Sequence, residues 1–161
     1  MSITTKRLSV FLVILVFLTS ACKANISRNN DGSLDVETTI SQQELQNAIS
    51  TAIADPLIKE LTVSLQSGYV LVSGERQRLN DASKTDTLSF RLDLGVSNGQ
   101  LTSSISNALL DGTPIEQNRV DHWNQIITNR LSLISNKNQN STLKSVTITS
   151  DSVTTIWTVT K

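Results

Sequence analysis

The chain holds one cysteine, one histidine, six glycines and few aromatic residues, and its charges are balanced at 14 basic against 14 acidic side chains. With Cys22 alone, an intramolecular disulfide is excluded, and the fold depends on its core. His122 has no Cys, Asp or Glu at metal-ligand spacing beside it, and on a helix its neighbour Asp121 points about 100° away. The many serines occur in no G-x-S-x-G or S-x-x-K pattern, and a lone histidine does not make a triad. Glycine-rich phosphate loops are missing. Glu116 and Asp121 could in principle act as acid and base, but acidic residues at a helix start also simply suit its dipole. No site offers the geometric roles of an active site, so the sequence predicts no enzyme, no cofactor and no metal. Balanced charge without runs of one sign excludes electrostatic nucleic-acid binding and a polybasic membrane patch.

What is present begins with an address. Met1 to Arg7 is polar and basic, Leu8 to Leu18 is apolar except for Ser9, and small residues Thr19, Ser20 and Ala21 precede Cys22. This is a signal-peptide profile, and the 15 residues from Leu8 to Cys22 fall short of the roughly 20 that a membrane-spanning helix needs. Leu18-Thr19-Ser20-Ala21-Cys22 resembles the lipobox of bacterial lipoproteins, with Thr19 where Leu is usual. That resemblance implies a diacylglyceryl group on the Cys22 thiol and cleavage before it, giving an exported protein, lipid-anchored in the cell membrane or outer membrane and facing periplasm or exterior. Cleavage near Ala21 or Ala24 without lipidation, and a retained N-terminal anchor, are the alternatives. Loss of residues 1–21 removes Lys6 and Arg7 from the 14 basic residues, leaving 140 residues with 12 basic and 14 acidic side chains. That length suits one domain.

Residues 22–33 read as the lipid attachment point followed by a flexible tether, because "KANISRNNDGS" lacks periodicity. Residues 34–161 read as a single domain. Leu34, Val36, Thr38 and Ile40 alternate as a strand, and Ser41-Gln42-Gln43-Glu44 is a capping-box pattern with Ile40 and Leu45 as its staple. The following helix carries Leu45, Ala48, Ile49, Ala52 and Ile53 on one stripe and stops at Asp55-Pro56. Alternation predicts hairpins over 61–74 and 88–105, a polar loop or ragged strand end over Arg76 to Thr87, and a connection over Asn107 to Pro114. A long helix is predicted from about Ile115 to Asn136, with Val120, Trp123, Ile127, Leu131 and Ile134 as its stripe, then a hairpin over 145–159. The class is α+β: a curved antiparallel sheet, a meander of three hairpins, around a long amphipathic helix plus one shorter helix.

An aliphatic interior of this kind can be a close-packed core or an acyl groove, since both demand the same residue types. The series "TISQQELQNAI", "IKELTVSLQSGYVLVSGERQRL", "LSFRLDLGVSNGQLTSSI", "LLDGTPI" and "LKSVTITSDSVTTIWTV" resembles, in order and pattern over residues 33–160, the bacterial LmeA-like phospholipid-binding domains, small relatives of the tubular lipid-binding superfamily. The Ser/Thr-rich stretch from Leu101 to Ser106 departs from that pattern. The resemblance implies a lipid ligand facing Ile49 and Ile53 on the first helix, Leu61, Val63, Leu65, Phe90, Leu92 and Leu94 on strands, and Trp123, Ile127 and Leu131 on the long helix. The expected function is an envelope lipoprotein that binds or carries a lipid or other apolar ligand without catalysis. The alternative is a solid-cored structural or adaptor domain that binds another envelope protein.

Overall fold

The computed structural model describes residues 24–136 and 140–160. Residues 1–23, which include the expected signal segment 1–21 and Cys22, lie outside the described residues. Nine strands and two helices follow in the order β1 (Ala24–Arg28), β2 (Leu34–Ser41), α1 (Gln42–Ile53), β3 (Ile58–Gln66), β4 (Tyr69–Gln77), β5 (Thr85–Ser97), β6 (Gln100–Leu110), β7 (Thr113–Pro114), α2 (Gln117–Ser135), β8 (Ser141–Ile148) and β9 (Ser152–Val159). The class is α+β, with partly curled antiparallel sheets.

Two sheets replace the single meander expected from the sequence. One is ordered β1-β2-β9-β8 and the other β3-β4-β5-β6-β7. The reason is non-local pairing. The last hairpin returns to the start of the domain, where β9 pairs with β2 from Leu34↔Val159 to Ser41↔Ser152. The two predicted hairpins β3–β4 and β5–β6 form the second sheet through β4–β5 pairing.

The expected tether differs as well. Ala24–Arg28 pair with β2, from Ala24↔Thr38 to Arg28↔Leu34, and 29–33 close the turn. Within that turn Asn29 N–H donates to Ser33 C=O at 2.9 Å, and the Asn29 amide donates to Asp35 Oδ1 at 3.0 Å. Asn and Gly in this stretch serve a turn, a role that composition does not separate from a loose linker. Likewise most of 107–114 is strand: β6 runs to Leu110, and the Asp111-Gly112 turn leads into β7.

β2 passes directly into α1 at Ser41. Its side chain accepts from Glu44 N–H at 3.3 Å while Glu44 Oε2 accepts from Ser41 N–H at 2.8 Å, closing the capping box that the sequence spells. The predicted stripe is buried in full, Leu45, Ala48, Ile49, Ala52 and Ile53. On α2 the buried residues are Val120, Trp123, Ile127, Leu131 and Ser135, with Ile126 and Ile134 packed at the flanks. The two helices touch each other, α1 packs on β3, and α2 packs on β6.

Two hairpin tips of the five-stranded sheet rest on β8. Gly68 N–H donates to Ile148 C=O at 3.0 Å, and Leu143 N–H donates to Gly99 C=O at 2.7 Å. At the second tip Asn98 (φ 51°) and Gly99 (φ 71°) make a left-handed two-residue turn, and a Cβ on Gly99 would collide with Thr142. The molecule thus has two ends. The β1-β2-β9-β8 sheet closes one, where α1 begins and α2 finishes; at the other lie the end of α1, the β4–β5 loop, the β6–β7 turn and the start of α2.

Asp35 holds the first end together. Its carboxylate accepts from Lys144 Nζ at 2.8 Å, Thr158 Oγ1 at 2.7 Å and Asn29 Nδ2 at 3.0 Å. These bonds, led by Lys144, lower its pKa to about 2. Because the folded value lies below the ordinary carboxylate value, the contribution is complete above about pH 4 and is lost as the pH falls through about 2. A carboxyl NMR titration is expected to place Asp35 near 2, and an ordinary value near 4 would show that the three bonds do not hold in solution.

Candidate functional site

The structure brings the predicted lipid-facing residues together, between the helices and the sheets. Ile49, Ile53, Leu61, Val63, Leu65, Phe90, Leu92, Trp123, Ile127 and Leu131 are buried in one contiguous core, and Leu94 packs against it half-buried. Phe90 and Trp123 meet with ring centroids 6.0 Å apart. That cluster also includes Ile40, Val153 and Trp157 from the first sheet, so both sheets and both helices contribute side chains to one interior. Its buried polar groups are satisfied internally: Trp157 Nε1 donates to Thr155 Oγ1 at 3.1 Å, and Thr155 Oγ1 donates to Thr38 C=O at 3.3 Å.

A concave site lies elsewhere, at the end of the molecule opposite β8. The close of β4, the β4–β5 loop, the β6–β7 turn and the start of α2 form a cleft of about 760 Å³. Leu110, Pro114, Ile115 and Leu79 give it apolar surface, and Arg76, Arg78, Arg119, Asp86, Asp111 and Glu116 give it charges of both signs. Leu79, in the loop two residues after β4, is 78% exposed. The loop is shaped by its own bonds. Arg78 N–H donates to Lys84 C=O at 3.0 Å, Gln77 Nε2 to Ala82 C=O at 2.7 Å, and Ser83 Oγ to Asp81 Oδ1 at 2.6 Å. The Ser83 hydroxyl, followed by its N–H, holds the Asp81 carboxyl below its ordinary value.

The arginines of the cleft are matched by carboxylates. Arg78 pairs with Asp86 at 2.5 Å and with Asp111 at 3.1 Å, while Arg76 and Arg119 share Asp55 Oδ2 at 2.8 and 3.2 Å. Arg119 also lies over the Trp123 ring, 5.1 Å from its centroid. Fixed charges around an apolar patch suit a protein surface bearing an apolar anchor, since such charges set register and suppress wrong partners. The remaining polar candidates do not join this cleft as a reactive set. His122 and Asp121 are exposed on α2, and Asp121 accepts from Gln117 Nε2 at 2.8 Å. Among the described residues no three His, Cys, Asp or Glu side chains converge as a metal-binding group.

Sheet edges are the other docking surface open to an adaptor, and most are occupied. Gln42 Nε2 and Gln46 Nε2 on α1 donate to the β3 carbonyls of Val63 at 2.7 Å and Leu61 at 3.0 Å. This blocks strand addition there. β7 has two residues and ends in Pro114, which has no N–H, and β8 is held by the two hairpin tips. β1, at one end of its sheet, pairs on one side with β2 alone.

Sequence reasoning did not find the cleft. Arg76 to Thr87 read as a polar loop or ragged strand end, and the one signal within it was Leu79, an isolated apolar residue in a polar run. No protein-family model matches the chain, and neither a curated protein nor a solved structure matches it. The likeness to the phospholipid-binding domains therefore rests on the order and pattern of residues alone.

Proposed function

We propose that the chain is an exported envelope lipoprotein, anchored through an acylated Cys22, whose α+β domain is a non-catalytic adaptor with a solid core. The cleft around Leu79 is its docking face for another envelope protein. One observation carries this choice over lipid carriage: the side chains assigned to a lipid interior are, Leu94 apart, buried in one protein cluster that both helices and both sheets fill. An acyl chain would have to displace them. The cleft adds support, because an exposed leucine on a hydrogen-bonded loop is a small preformed apolar anchor rimmed by charge.

Native mass spectrometry of protein purified without detergent is expected to show the domain free of stoichiometric bound lipid. Reproducible one-to-one phospholipid, beyond the acyl groups on Cys22, would overturn the adaptor in favour of carriage. A photo-crosslinking residue at Leu79 is expected to give a discrete adduct in the envelope, and the same residue at Thr62, on exposed β3 surface, none.

A further inference from the structure

We infer that the domain lies directly on the bilayer, with the β1 edge of the β1-β2-β9-β8 sheet against the lipid, at the end of the fold remote from the Leu79 cleft. This rests on the lipoprotein reading of Cys22 and deepens it. The first observation is the length of chain available. β1 begins at Ala24, so Lys23 alone separates Cys22 from a residue hydrogen-bonded into the sheet. Two residues span at most about 7 Å. Acyl chains on Cys22 therefore hold β1 within a side chain's length of the headgroups, where a ten-residue tether would have let the domain roam.

The second observation is where exposed apolar side chains gather. Ile26 is 63% exposed on β1, and Leu34 is exposed on β2 on the same face of the sheet, since Ile26 pairs with Val36. Leu133, two residues from the end of α2, belongs to the same end of the fold, where α2 touches β2. Leu79 stands at the other end. Apolar side chains at the anchored end suit shallow immersion at the headgroup boundary, and Arg28 at the close of β1 suits anionic headgroups. Lipid covering β1 also shields a strand edge that pairs on one side alone.

The test uses the mature, acylated protein in phosphatidylethanolamine–phosphatidylglycerol vesicles, with a fluorophore on a single introduced cysteine: Ile26→Cys, Leu34→Cys or Leu79→Cys. The mass of the N-terminal peptide first establishes acylation. Quenching by a lipid-borne quencher is expected to be several-fold stronger at positions 26 and 34 than at 79. Equal quenching at all three overturns the orientation while the lipoprotein reading stands. An unmodified Cys22 thiol overturns both. Protection of position 26 without vesicles, growing with protein concentration, would assign β1 to a second copy of the chain and overturn the contact with lipid.

Discussion

Truncating Leu92 or Ile127 to alanine is expected to lower the free energy of unfolding by about 3 kcal/mol, within the roughly 2–5 kcal/mol such changes cost in filled cores. Both side chains are fully buried, Leu92 on β5 and Ile127 on α2. In a domain of this size that loss corresponds to a fall of roughly 10 °C in Tm. Urea unfolding of detergent-free protein measures it, with Leu71→Ala on the solvent side of β4 as a control expected to change stability by under about 0.5 kcal/mol. The same experiment separates the two readings of the interior. Residues lining an open groove have fewer neighbours to lose, and added phospholipid would restore what truncation removes. A loss below about 1 kcal/mol at both positions, or recovery on adding phospholipid, would return Leu92 and Ile127 to a lipid-facing role.

Local order in this chain was legible because local chemistry dictates it. Ser41 and Glu44 needed no tertiary partner to mark the start of α1, and Asn98-Gly99 marked its turn by demanding two positive φ angles. The stripes on both helices were legible for the same reason, with one substitution at the end of α2: Ser135 takes the buried place next to Ile134. Pairing between distant strands was not legible. Nothing near Val153 to Val159 announces that β9 will lie beside β2, so three similar hairpins read as one sheet when the third belongs to another. β1 was missed because Ile26 is its one large apolar residue before the turn-forming 29–33, too few for alternation to show.

The cleft was hidden for a related reason. Arg76, Leu79, Asp111, Ile115 and Arg119 come from separate segments that meet only after both hairpins and α2 are in place, and the polar run around Leu79 masked the one local signal. For the interior, by contrast, the residues were found and their role was what sequence left open, because burial against protein and burial against an acyl chain select the same side chains.

Asp55→Ala is expected to cost about 2–3 kcal/mol and to loosen the cleft. The carboxylate, 8% exposed, accepts from Leu57 N–H at 3.0 Å, Arg76 Nε at 2.8 Å and Arg119 Nη2 at 3.2 Å, tying the end of α1 to β4 and to the first turn of α2. Removing it leaves Arg76 half-buried without its carboxylate, while the more exposed Arg119 can turn to water, which keeps the cost below that of a fully buried pair. Asp55→Asn retains an acceptor for Leu57 N–H but no charge, so an intermediate loss is expected. The effect is pH-dependent with a definite sign. Burial raises the Asp55 pKa, but the hydrogen bonds from Arg76 and Leu57 N–H, with the charges of Arg76 and Arg119, outweigh it and leave the folded value below the ordinary one. The unfolded chain then binds the proton more readily, so the stabilisation is complete above about pH 4 and is lost as the pH falls through the folded pKa. Urea unfolding of wild type and Asp55→Ala should therefore differ most near neutrality and converge in acid, whereas a gap independent of pH would assign the loss to packing. Because Arg76 and Arg119 also line the cleft, Asp55→Ala should weaken the Leu79 crosslink at pH 7 while the domain remains folded, linking the stability of this end to its proposed docking role.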